Sequence, residues 1–278
     1  MAVGLTQVSK MMANFPQFVE TGKNTALCSI HGEYIQTTYK NGRITKCPDC
    51  ERENEEQRIA NEKDKLKEAE EKRKSRRIDE LLGKSGIPKR FQNKTFDNYQ
   101  LIKDNAKQEE VFNRVVAFSE EFKPSSEESK PSQEHSGRCI VMIGDTGTGK
   151  SHLACAVASH VIKKYCGTAR FTSVSEINRL VRESKGYNAK YSETEVIEAF
   201  GNYDLLIVDE VGIQSGSDAE SRALFDVFNA RYQNMKSTIV ISNLNQAQVR
   251  EALGQRIFDR LKEGGGEVLV FHWGSHRV

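Results

Sequence analysis

No stretch of this chain approaches the roughly 18 to 20 consecutive apolar residues that a membrane-spanning helix requires, so such a helix is excluded. The N-terminus, MAVGLTQVSKMMANF, lacks the apolar centre of a secretory signal, so a cytoplasmic location is expected. An excess of one charge is missing too. With 41 basic and 39 acidic residues the net charge is only +2, and a nucleic-acid partner would have to be argued from a local patch. No internal repeat is present. The six cysteines, with no secretory context, point to metal ligands and buried thiols and away from a disulfide framework. What remains is a polar chain of 278 residues, long enough for one catalytic domain and a small accessory module.

Composition separates four regions: an N-terminal segment (1–25), a cysteine-bearing stretch (26–50), a charged helix-forming stretch (51–84) and a larger domain (85–278). Within the last, KPSSEESKPSQEHSG (123–137) reads as a flexible surface insertion. From Arg138 onward, short apolar runs alternate with amphipathic stretches, the pattern of a parallel α/β sheet flanked by helices. Strands are expected at about 138–143, 169–174, 204–209, 237–242 and 267–271.

Gly144-Asp145-Thr146-Gly147-Thr148-Gly149-Lys150-Ser151 fits the phosphate-loop pattern, and it follows a strand and opens a helix as that pattern requires. Its backbone amides and the helix N-terminus suit phosphate. Lys150 would hold the β- and γ-phosphates of ATP and Ser151 would bind Mg²⁺. Asp209 and Glu210 end the apolar strand YDLLIVDE. Asp209 suits the Mg²⁺ shell and Glu210 suits activation of the attacking water; the alternative is a cap for the following helix. Asn243, at the end of STIVISN, could orient that water or simply form a turn. The strand at 169–174 precedes the acidic one. This resembles the ASCE division of P-loop ATPases and argues against small-molecule kinases.

Cys28-x-x-His31 and Cys47-x-x-Cys50 have zinc-ligand spacing. Asn41-Gly42 predicts a hairpin between them that would assemble a closed, structural Cys₃His site. A redox pair at 47–50 would leave Cys28 and His31 unexplained. Tyr34, Tyr39, Lys40, Arg43 and Lys46 are too few to claim nucleic-acid contact by this ribbon. Cys139, Cys155 and Cys166 read as buried small hydrophobes. Residues 51–82 predict a helix of about 48 Å rich in opposite charges four apart, a spacer without a coiled-coil seam. Its basic run KRKSRR (72–77) could meet nucleic acid or face solvent.

SGIPKRFQNKTFDNY (85–99), GDTGTGKSHLACAVA, YDLLIVDEVGIQ, TIVISN, LGQRIFDRL (253–261) and FHWGSHR (271–277), in this order, resemble the DnaC family of AAA+ replicative helicase loaders. The resemblance covers about 85–278; the IstB transposition helper ATPases share several of these features. It implies an AAA+ fold and an ATPase that delivers a hexameric replicative helicase to single-stranded DNA and self-associates when ATP is bound. It implies that Arg260 is an arginine finger acting on a neighbouring subunit, with Arg277 a sensor of phosphate in its own. Without it, Arg256 and Arg260 would be a solvated helix face paired to Asp259 or Glu263. It further implies an N-terminal module that grips the helicase. It also implies an inserted helix facing single-stranded DNA at 174–200, where Arg179, Arg182, Lys185, Tyr187, Lys190 and Tyr191 interleave cations with aromatics. A transposase-partner ATPase and an ATP-gated adaptor with incidental hydrolysis are the alternatives.

Overall fold

The computed structural model describes residues 19–122, 124, 137–212 and 218–276. Most of the N-terminal segment, nearly all of the insertion at 123–137 and Arg277 lie outside the described residues. The chain divides into two units, Met1–Arg73 and Lys74–Val278.

The first unit holds a two-stranded antiparallel sheet, β1 (Glu20–Cys28) and β2 (Gly32–Tyr39), followed by the start of the helix α1 (Pro48–Lys84). The turn between the strands is the Cys28–His31 knuckle, closed at Gly32 with a φ of 80°. The expected turn at Asn41-Gly42 forms as well, with the Tyr39 amide donating to the Arg43 carbonyl at 2.8 Å and the Thr45 amide to the Thr37 carbonyl at 2.9 Å. The longer pairing of β2 is with β1, which begins ahead of the Ala26 boundary, while the arm after Asn41-Gly42 is short and bridges Thr38 to Ile44. The physical reason lies just downstream, where the chain must leave the sheet to bring Cys47 and Cys50 to the first knuckle. α1 starts earlier than expected because Pro48, whose φ is pre-set, occupies its first turn and puts Cys50 there as well.

In the second unit, α1 ends and is followed by a 3₁₀ turn at Lys89–Phe91 and then α2 (Ala106–Glu120). A parallel sheet follows: β3 (Ile140–Gly144), α3 (Lys150–Tyr165), β4 (Ala169–Ser173), α4 (Val174–Glu183), α5 (Glu193–Asn202), β5 (Leu205–Asp209), α6 (Asp218–Gln233), β6 (Ser237–Ser242), α7 (Gln246–Leu253), α8 (Gln255–Lys262) and β7 (Glu267–Phe271). The strand order is β4-β5-β6-β3-β7. Alternate residues of each strand serve opposite layers. Ile140, Met142, Leu205, Ile207, Ile239 and Ile241 pack with α2 and α3. Val141, Ile143, Leu206, Val208 and Val240 pack with α4 to α8. Two covered faces explain why the strands read as unbroken apolar runs. Each fully buried Ile, Leu or Val here stabilises by about 1.5–3 kcal/mol relative to exposure.

Arg231 on α6 is buried within this core. Its guanidinium donates to the carbonyls of Phe200 (2.7 Å) and Tyr203 (2.8 Å) at the end of α5, and to Thr238 Oγ1 (2.9 Å) on β6. Burial holds its pKa down at about 9. The cation neutralises orphan carbonyls at a helix C-terminus, where the macrodipole favours positive charge.

Candidate functional site: a nucleotide cradle and a Cys₃His centre

Because β6 lies between β3 and β5, three loops meet at the C-terminal edge of the sheet, the usual place for ligands in parallel α/β folds. The loop after β3 is Gly144–Gly149; Asp209 and Glu210 follow β5; Asn243, exposed, follows β6. Gly149 has a φ of 92° and a Cβ there would lie 2.5 Å from the Tyr99 ring, so only glycine lets the loop turn into α3. Lys150 is buried, and its Nζ donates to the carbonyls of Gly144 (2.7 Å) and Asp145 (2.7 Å). Both of these acceptors are neutral carbonyl oxygens.

Ser151 Oγ donates to Asp209 Oδ2 at 3.0 Å, so the two residues expected to share Mg²⁺ stand together although they come from α3 and β5. Asp209 Oδ1 accepts the Glu210 amide at 2.7 Å. Burial pushes the Asp209 carboxyl above its usual range, against the Glu210 amide, the Ser151 hydroxyl and the Lys150 charge. Glu210 itself is exposed with a φ of 61°. A left-handed backbone at a non-glycine residue costs about 1–2 kcal/mol, and such strain concentrates where a side chain must be aimed.

The cradle is held from behind by residues to which no role was assigned from sequence. Tyr99 Oη and Trp273 Nε1 both donate to the Thr148 carbonyl, at 3.1 and 3.0 Å. The His276 amide donates to the Gly147 carbonyl at 2.9 Å, and Gln108 Nε2 donates to Tyr99 Oη at 3.2 Å. Fixing these carbonyls on the outside fixes the amides of the same peptides on the inside. Tyr99 and Trp273 sit in TFDNY and FHWGSHR, whose order along the chain was the available signal.

Arg260 does not pair with Asp259 or Glu263. Its Nη1 donates to Asn229 Oδ1 at 2.7 Å and the guanidinium stacks over Tyr232, 4.5 Å from the ring centre. These contacts are with α6. The segment proposed for DNA is not one helix. Arg179 and Arg182 are exposed on α4; Lys185, Tyr187, Lys190 and Tyr191 belong to the exposed connection to α5. The helix breaks because Ser192 caps a new one, with Glu195 closing a capping box. Arg179 pairs with Glu183 at 2.8 Å and Lys185 with Glu193 at 3.1 Å, while Tyr187 and Tyr191 are 103% and 64% exposed. Cys139 and Cys155 are buried as expected, whereas Cys166 is half-buried because it caps α3 in the left-handed conformation.

In the first unit, the ligand atoms of Cys28, His31, Cys47 and Cys50 all lie within 4.8 Å of one another. The Cys28–Cys50 sulfur separation is 3.5 Å, and the sulfurs of Cys28, Cys47 and Cys50 lie 3.9, 3.7 and 3.3 Å from His31 Nδ1. Tetrahedral zinc with its usual bond lengths separates such atoms by about 3.5–3.8 Å, so the donor set fits. The backbone amides of His31 and then Ile30 hold the Cys28 thiol down at about 6, favouring the thiolate a metal needs. His31 Nε2 lies 3.0 Å from Glu53 Oε1 on α1, an outer partner that orients the ring and that spacing alone did not reveal. The hairpin has little apolar core of its own, with Leu27 77% and Ile35 67% exposed. The purified protein is therefore expected to carry about one zinc per chain. Cys47→Ser should make residues 20–47 exchange amide hydrogens freely while ATP binding persists, because structural zinc contributes roughly 10–16 kcal/mol. A metal-free protein with a protected hairpin would contradict this.

Among the described residues no helix is long and apolar enough to cross a membrane. A family model described as IstB-like ATP binding protein matches residues 63–264. The replicative helicase loader DnaC of Buchnera aphidicola (subsp. Acyrthosiphon pisum) is 27% identical over 204 residues, covering 73% of this chain and 77% of that protein. The protein of the same name from Escherichia coli K12 is 25% identical over 208 residues, covering 75% and 79%. The crystal structure of the DnaC helicase loader superposes with a TM-score of 0.55 at 22% identity, over 66% of this chain and all of that one. With its phosphate loop, its acidic strand end and its five-stranded parallel sheet in this order, the chain belongs to the IstB-like ATP binding protein family.

Proposed function

We propose that this chain is an ATP-dependent loader that delivers a hexameric replicative helicase onto single-stranded DNA in the cytoplasm. The observation that carries the reading is the alignment with proteins named replicative helicase loader over 73–75% of this chain and 77–79% of theirs.

The proposed chemistry follows from the cradle. The loop amides and Lys150 bind and orient the phosphates; Ser151 and Asp209 would hold Mg²⁺. Bound magnesium would offset phosphate charge during transfer. Glu210 accepts a proton from the attacking water at its carboxylate, and Asn243 positions that water. Arg260 of one subunit completes the site of the next, so hydrolysis depends on self-association. Arg277 contacts phosphate in its own subunit. The zinc ribbon meets the helicase, and the exposed α4–α5 region meets single-stranded DNA.

The family model's description favours, as a second reading, a transposase-partner ATPase that coats duplex DNA. The tagged chain, supplied with ATP, should retain a ring-shaped replicative helicase from its own cell and promote unwinding on a DNA circle lacking free ends. No helicase retained, together with ATP-dependent filaments on duplex DNA, would replace the first reading with the second.

A further inference from the structure

The end of the chain straps the phosphate loop down. β7 pairs with β3, so residues 271–276 leave the sheet directly beside the loop that leaves β3. The Phe271 carbonyl approaches Gly144 so closely that a Cβ there would stand 2.1 Å from its oxygen, and it accepts the Asp145 amide at 3.2 Å. His272 Nδ1 lies 3.0 Å from Asp145 Oδ2. The His276 amide donates to the Gly147 carbonyl, and Trp273 Nε1 to the Thr148 carbonyl.

The Thr148 carbonyl is held twice. Gln108 Oε1 accepts the Ile102 amide at 2.7 Å, which fixes the side-chain amide and leaves Nε2 to donate to Tyr99 Oη at 3.2 Å. The Tyr99 oxygen is then an acceptor on that side, and its single proton goes to the Thr148 carbonyl at 3.1 Å. With Trp273 at 3.0 Å, both lone pairs of that carbonyl are engaged. In a trans peptide the carbonyl and the next amide point in opposite directions. The Gly149 amide therefore points away from Tyr99 and Trp273. Among the described residues it makes no hydrogen bond, and it stands at the N-terminus of α3, where a free amide and the helix dipole favour phosphate.

We propose, resting on the nucleotide-binding role of the cradle, that Trp273 and Tyr99 are positioning residues that aim the Gly149 amide at the diphosphate of a bound nucleotide, so that the end of the chain sets affinity for ADP and ATP alike. Loop amides of this kind cradle the phosphates that ADP and ATP share. A contact to those phosphates is the same before and during transfer of the terminal one, so its loss falls on binding and not on chemistry. This role differs from that of Arg277, whose proposed phosphate contact would tell the two nucleotides apart if it reaches the terminal group.

The test uses the full chain, titrated calorimetrically with Mg-ADP and with a non-hydrolysable Mg-ATP analogue. Trp273→Phe keeps a ring beside Phe271 and removes the N–H; Tyr99→Phe keeps the ring stacked on Phe112 and removes the hydroxyl. Each should weaken both nucleotides about threefold or more, and the double variant at least about tenfold, as expected for one and two net hydrogen bonds. The ratio of the two affinities should stay at the parent value. In steady-state turnover the loss should fall on KM and not on kcat. Weakening of the analogue alone makes the strap a sensor of the terminal phosphate and overturns the proposal. Unchanged affinity in the double variant overturns it, and so does a lower kcat at unchanged affinity. Thermal unfolding without nucleotide separates a plain brace: a lowered midpoint with parent affinity well below that midpoint also overturns it. A parent chain that binds neither nucleotide removes the nucleotide-binding role of the cradle together with the proposal, whereas a parent that binds both beside unaffected variants removes the proposal alone.

Discussion

Glu210→Gln is expected to bind ATP as the parent does and to hydrolyse it roughly 10²–10⁴-fold more slowly, the range for loss of a positioned general base. Its amide cannot take a proton from water. The residues proposed to hold Mg²⁺ are untouched, because Asp209 keeps the Ser151 hydroxyl at 3.0 Å and the Glu210 backbone amide at 2.7 Å. Lys150→Ala separates from it cleanly. It removes a buried ammonium held 2.7 Å from two loop carbonyls and should weaken ATP binding itself. Single-turnover hydrolysis beside equilibrium nucleotide binding distinguishes the two, because a pure chemistry defect leaves the dissociation constant in place. Parent-like hydrolysis by Glu210→Gln would remove Glu210 from the role of base.

Arg260→Ala should bind ATP normally and lose about 10³-fold or more of stimulated hydrolysis, the usual cost of a missing arginine finger. Within its own subunit the guanidinium stacks over Tyr232 and donates to Asn229, both on α6. Mixing with Lys150→Ala protein is the decisive arm. An intact Arg260 from the Lys150→Ala subunit can complete the intact phosphate loop of the Arg260→Ala subunit. ATPase rate plotted against mixing ratio, with helicase and single-stranded DNA present, should rise above both pure proteins. A flat line at background would rule out action in trans. Full activity of Arg260→Ala alone would make it a structural arginine that braces α8 on α6.

Much of the cradle was legible in the linear chain because its chemistry is local. The phosphate loop occupies eight consecutive residues between a strand and a helix, and Asp209-Glu210 closes an apolar run whose pattern announces a strand covered on both faces. The candidate metal ligands were legible for the same reason, as two knuckles with fixed spacing whose donor atoms the structure brings within 4.8 Å. Strand order was not legible from the runs themselves. Five short apolar segments carry nearly the same pattern, and only packing against particular helices places β6 between β3 and β5 and so sets Asn243 beside the acidic loop. The Asn41-Gly42 turn was legible and forms, but the longer partner of β2, the strand β1, escaped because residues 20–25 carry no apolar pattern of their own. The Tyr99 and Trp273 bonds to the Thr148 carbonyl join residues far apart in sequence. Arg231, a cation that the linear chain would place in solvent, is buried because α5 ends with carbonyls that need a donor. Local spacing determined which chemistry this protein carries. Long-range packing decided how that chemistry is aimed, because such contacts exist only once the chain has closed around them.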